Sequence, residues 1–174
     1  MNHFFKSSFF LIALLLLSIN VYSSNLLIGS LQAKYPVIPT PQEINYGDGE
    51  VAFKTINITK SNFRDISNKL EAFFYARGIK VSSKGLNIQI IKAEIPVDNS
   101  DEAYRLVINS KIKIWASTEK GAYYAMQTLK QIFRKYGKKG RFPKLEITDW
   151  PAFKIRGFMH DTGRNFQSVS QLKE

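Results

Sequence analysis

The sequence predicts an α+β domain: a mainly antiparallel sheet with two helices packed on one face. Three observations lead there. Apolar residues recur at three- and four-residue steps in only two windows. Short segments rich in β-branched and aromatic residues surround those windows, several with clear alternation. Tight turn signals join neighbouring strands, which favours hairpins over long crossovers.

The elements follow in order. Lys6 precedes the apolar run Phe9 to Leu17, and small residues follow it. That pattern predicts a secretory signal peptide over 1–23, with cleavage after Ser23, and a linker over 24–34. As a membrane anchor the run falls short of the ~20 residues a span needs, and Asn20 interrupts any extension. The expected location is secreted or periplasmic, with no stable membrane span after cleavage. In Tyr35-Pro-Val-Ile-Pro-Thr-Pro-Gln42, three prolines forbid helix and favour extended chain. Short strands are expected at Glu43 to Tyr46 and Glu50 to Phe53, joined by a Gly47-Asp48-Gly49 turn. Thr55 to Thr59 alternates and extends the second.

Phe63, Ile66, Leu70, Phe73 and Phe74 lie on one helical face, with Ser61 as the expected cap and Gly78 as the stop. Strands are expected at Ile79 to Ser82, Leu86 to Ile91, Tyr104 to Asn109 and Lys111 to Ala116, the last two as a hairpin around Ser110. The second helix carries the stripe Ala122, Ala125, Met126, Leu129, Ile132, Phe133 and Tyr136. Ser117 or Thr118 can cap it, and Gly137 can end it. Gly121, Ala122 and Ala125 allow close approach to the sheet. Phe142 to Ile147 forms the last strand.

Composition narrows the classes. The mature portion of this 174-residue chain is one domain of ordinary size and needs no covalent staple. With no cysteine, a disulfide-stapled miniprotein is excluded. Asn57-Ile58-Thr59 matches a glycosylation sequon, read here as ordinary strand sequence. The net charge is +11, much of it from Lys130, Arg134, Lys135, Lys138, Lys139, Arg141 and Lys144. No nucleic-acid-binding signature accompanies the patch, so it reads as a solvated helix end, with attraction to acidic polysaccharide as the weaker alternative. No nucleic-acid partner is expected. His160 is the one histidine beyond the signal segment. It has no sequence-defined acid partner and is assigned a structural role. A metal site is not expected, and neither is a cofactor.

Four stretches then carry a resemblance: Tyr35 to Gln42, Glu102-Ala-Tyr-Arg-Leu106, Gly121-Ala-Tyr-Tyr-Ala-Met-Gln-Thr-Leu-Lys-Gln-Ile132 and Ile147-Thr-Asp-Trp-Pro-Ala-Phe-Lys-Ile-Arg-Gly-Phe-Met159. In this order they resemble the N-terminal half of glycoside hydrolase family 20, the β-N-acetylhexosaminidases. The resemblance implies an accessory α+β domain over 35–148. It further implies the truncated start of a (β/α)8 catalytic barrel over 149–174, with Lys154 to His160 near the first strand. Barrel active sites lie at the C-terminal ends of strands. Arg164 is accordingly implied to bind hydroxyls of the terminal sugar, and Asp161 to support it. A guanidinium offers fixed donors to adjacent sugar oxygens. An Arg164–Asp161 ion pair is the structural alternative.

The same resemblance implies substrate-assisted retaining removal of terminal β-N-acetylhexosamine from a glycan or oligosaccharide. The substrate's acetamido oxygen attacks, an aspartate steadies the oxazolinium, and the adjacent glutamate serves as acid and then base. Asp101-Glu102 is an adjacent pair but resembles the family's Glu-Ala-Tyr strand start, so it is read as exposed acids at a strand entrance. No catalytic residue is therefore expected in this chain, which alone is expected to be inactive. The alternatives are a free-standing carbohydrate- or cell-wall-binding module, and another glycosidase family with the same front domain.

Overall fold

The computed structural model describes residues 37–157, 159, 164 and 166–171. The expected signal segment and linker lie outside the described residues, as do His160 and Asp161. The described chain forms β1 (Glu43–Ala52), β2 (Ile56–Ser61), α1 (Arg64–Tyr75), β3 (Leu86–Lys92), β4 (Tyr104–Ile108), β5 (Ile112–Ala116), α2 (Glu119–Lys135) and β6 (Arg141–Asp149). Short 3-10 turns at Ser100–Glu102 and Gly137–Lys139 precede β4 and β6. The fold is α+β, with a six-stranded sheet in the order β1-β6-β4-β5-β3-β2.

The sheet is mixed. The pairs β1/β6, β6/β4 and β4/β5 are antiparallel, while β5/β3 and β3/β2 are parallel. The expectation of a mainly antiparallel sheet underweighted α1 as a connector. A helix between two strands of one sheet carries the chain back to the edge it left, so β2 and β3 run in the same direction. The β4–β5 hairpin forms as expected, with Tyr104 opposite Ala116 and Ile108 opposite Ile112.

Two strand expectations are corrected. Glu43 to Tyr46 and Glu50 to Phe53 are not a hairpin. Glu43 to Tyr46 and Glu50 to Ala52 both belong to β1 and pair with β6, Tyr46 against Leu145 and Glu50 against Pro143, and Phe53 follows the strand. Gly47-Asp48-Gly49 is extruded between them as a bulge, so local turn chemistry was satisfied without reversing the chain. Ile79 to Ser82 makes only an isolated bridge, Val81 to Ile56. The Ile79 N–H is spent on the Phe74 carbonyl (3.1 Å), and a turn already begins where Gly85 N–H meets Ser82 O (2.8 Å). Little backbone is left between them for a strand.

The helices follow the apolar stripes. Ile66, Leu70, Phe73 and Phe74 of α1 are buried, as are Ala122, Ala125, Met126, Leu129, Ile132 and Phe133 of α2. They meet Ile88, Ile90, Leu106, Ile112, Ile114 and Ile147 in one core. An aromatic group ties both helices to the sheet: Phe53 stacks on Phe142 at 4.7 Å, and Phe74 meets Phe133 edge-on at 5.2 Å. Gly78, at φ 76°, closes α1 as expected. Ser61 does not cap α1. Its hydroxyl accepts from the Phe63 N–H (3.1 Å) and donates to the Phe63 carbonyl (2.9 Å), before the first turn. Thr118 caps α2 by accepting from the Gly121 N–H at 3.4 Å. Helix α2 ends at Lys135, and Gly137 opens the following 3-10 turn.

The described residues after Asp149 contain no strand, including those within Lys154 to His160. A strand needs a neighbour to satisfy its backbone, and no described strand pairs with this stretch.

Candidate functional site

The end of β6, the Pro-rich entry and the outer side of α2 enclose a cavity of about 500 Å³. Its walls include Ile38, Tyr104, Tyr124, Gln131, Trp150 and Arg156. Each wall has a sequence cause. The entry segment cannot be a helix, so its backbone groups need outside partners. Gln131 supplies two of them: its side-chain oxygen accepts from the Ile38 N–H at 2.9 Å, and its amide donates to the Ile38 carbonyl at 2.8 Å.

Asp149 lies at the centre of a polar relay. The Gln42 N–H donates to one carboxylate oxygen at 3.1 Å, and the Tyr104 hydroxyl donates to the other at 3.2 Å. Thr128 Oγ1 sits 2.7 Å from that phenol oxygen. Since the phenol proton points to Asp149, the Thr128 hydroxyl donates to Tyr104. Burial raises the Asp149 carboxyl above its ordinary value, against the opposing donors from Gln42, Tyr104 and Trp150. Burial, followed by the Asp149 charge, drives the Tyr104 phenol well above the ordinary tyrosine range. It is therefore a permanent donor. The relay joins the entry, β4, α2 and the end of β6, and so fixes where the chain leaves the sheet.

A second clamp holds the exit. Arg156 pairs with Glu102, donating through Nη2, and a second guanidinium nitrogen donates to the Phe153 carbonyl at 3.3 Å. The hydrogen bond to Glu102 raises the arginine further above its already high value. Asn99 donates to the Pro151 carbonyl at 3.2 Å. Residues 149–156 are thus fastened at both ends to the domain.

Of the residues expected to bind sugar, Arg164 is described: it is exposed and in a turn. Asp161 lies outside the described residues. Arg164 is not among the residues lining the cavity. Glu102, read as an exposed acid, is instead partly buried and paired, because the exit folds back onto it. Sequence reasoning missed Tyr104, Thr128, Gln131 and Asp149 as a constellation. All four fall inside the quoted motif stretches, and that was the available signal. Among the described residues no group of three His, Asp or Glu side chains could hold a metal ion. No described helix is long and apolar enough to cross a membrane. The cavity's acids are both held by donors, which suits positioning of chain rather than proton transfer.

A family model described as glycosyl hydrolase family 20, domain 2 matches residues 34–150. Beta-hexosaminidase 1 of Coccidioides posadasii is 30% identical over an alignment covering 87% of this chain and 32% of that protein. A family 20 exo-β-N-acetylglucosaminidase from Vibrio harveyi, solved with N-acetylglucosamine, superposes with a TM-score of 0.61 at 27% identity, covering 83% of this chain and 23% of that one. The chitobiase of Flavobacterium johnsoniae gives a TM-score of 0.57 at 29% identity, covering 79% and 24%. The chain thus spans about a third or less of the length of these relatives.

Proposed function

The chain belongs to glycosyl hydrolase family 20, and from that premise we propose that the whole protein is an exported enzyme that removes terminal β-N-acetylhexosamine from glycans. The observation that carries the proposal is the double fastening of residues 149–156: Asp149 to Gln42 and Tyr104, and Arg156 to Glu102. A domain that fixes its own exit at both ends sets the start of whatever body follows. Residues within and after the clamped stretch suit such a body. Ile155, Met159 and Phe166 are each more than four-fifths exposed, and apolar side chains of that size favour burial.

In this reading residues 35–148 are the accessory domain and 149–174 begin a (β/α)8 barrel. Arg164 then lies beyond the first barrel strand and donates to hydroxyls of the terminal sugar, with Asp161 supporting it. The acid pair that performs the chemistry is supplied by a later barrel strand. Asp101-Glu102, the one adjacent Asp-Glu in the sequence, serves the exit clamp through Glu102. The substrate's own acetamide is the nucleophile in this scheme, so the reaction depends on it.

That dependence gives the test. Full-length protein should release aryl alcohol from an aryl N-acetyl-β-glucosaminide and leave the corresponding aryl β-glucoside, which lacks the acetamide, uncleaved. Comparable turnover of both substrates would refute the substrate-assisted scheme.

A further inference from the structure

The basic stretch that reads in sequence as one patch is divided by the fold. Arg141 goes to the sheet and pairs with Glu50 at 3.5 Å. Lys130 instead turns toward α1, where it shares one ring with Arg77, while Arg134, one turn further along α2, and Lys69 of α1 lie close enough to act on its charge. The Arg77 guanidinium carbon lies 3.7 Å from the centroid of Phe73, and the Lys130 ammonium lies 5.2 Å from the same centroid. Lys69 has Asp65 at 2.6 Å. Among the described residues, no carboxylate forms an ion pair with Arg77, Lys130 or Arg134. The crowding registers on Lys130, whose basicity falls through burial and then through Arg134, Arg77 and Lys69. Like charges held this close raise the energy of the folded chain, and an anion placed between them lowers it.

We propose that the seam between α1 and α2, at Arg77, Lys130 and Arg134, binds an acidic polysaccharide through its sulfate or carboxylate groups. Charge complementarity chooses the anion, and guanidinium forks match planar or tetrahedral oxyanions. The exposed Lys135, Lys138 and Lys139 continue the positive surface past the end of α2, which suits a chain of charges better than a single ion. A nucleic acid would want open aromatic rings in such a groove for stacking bases. The ring inside this cluster, Phe73, is 8% exposed and already has two cations over it. The inference is independent of the hydrolase reading.

The test measures binding of full-length protein to a heparin oligosaccharide, a neutral chitin oligosaccharide and a single-stranded oligonucleotide. The variant Arg77→Gln/Lys130→Gln/Arg134→Gln should bind heparin at least about tenfold more weakly. The charge-matched control Lys84→Gln/Lys92→Gln/Lys111→Gln, altered at exposed lysines elsewhere, should change by less than about twofold. The double variant Lys130→Gln/Arg134→Gln, which keeps the Arg77 stack, should show an intermediate loss with an unchanged or higher unfolding temperature, since it relieves repulsion. Equal losses in both triple variants, no heparin binding by the parent protein, or tighter binding of the oligonucleotide would each overturn the proposal. So would a marked fall in unfolding temperature for the double variant, which would mean that acids of the same protein already neutralise the cluster.

Discussion

Tyr104 is 2% exposed, and its hydroxyl stands between Thr128 and Asp149. Removing that oxygen with Tyr104→Phe leaves the buried Thr128 hydroxyl without this partner, at a cost of about 1–3 kcal/mol. Urea denaturation should show the lower midpoint. Asp149 gives a pH signature. Its folded value is raised above the ordinary 3.8, so the folded state holds this proton where the unfolded chain has released it. The resulting stability is present below the ordinary aspartate value and is lost as pH rises through the higher folded value. Asp149→Asn cannot titrate and should flatten that fall when midpoints are compared from about pH 3 to about pH 7. An unchanged slope would show that another group is responsible. At the proposed sugar contact, Arg164→Ala in the full-length enzyme should lower kcat/KM by about a hundredfold, the loss of charge-assisted hydrogen bonds worth about 1.5–3 kcal/mol each. A change under about threefold would remove Arg164 from the substrate site.

Among elements, α2 was the most legible, because its stripe is wide and its cap residue real. Gly121 shows what the stripe alone could not reveal. In a helix interior Gly→Ala ordinarily gains about 1 kcal/mol. Here an added Cβ would lie 2.3 Å from the Ala103 carbonyl oxygen. That oxygen is backbone and cannot swing aside, so the overpacking cost of about 1–3 kcal/mol should win. Gly121→Ala is therefore expected to unfold at lower temperature, and a stabilised variant would contradict the close packing. The bulge in β1 was illegible for a related reason. Gly-Asp-Gly satisfies a tight turn and a bulge equally well, and only the partner strand decides between them. The direction of β2 and β3 was hidden similarly, since strand patterning carries no sign of direction.

At the scale of the whole molecule, the α+β class and the two-helix layer were readable because periodicity reports burial directly. The cavity and its relay were not. Tyr104 and Asp149 are 45 residues apart, Glu102 and Arg156 are 54 apart, and no local pattern encodes such pairings. What sequence did offer was the motif stretches that contain them, which became intelligible once the exit was seen to be clamped. The central claim is that this domain positions a hexosaminidase whose chemistry is performed beyond it. The most direct measurement compares the full-length protein and the 174-residue chain, each purified, on aryl N-acetyl-β-glucosaminide and aryl N-acetyl-β-galactosaminide. The account predicts turnover by the full-length protein on at least one substrate and none above background by the shorter chain. Inertness of the full-length protein on both, or enzyme-like turnover by the 174-residue chain, would contradict it.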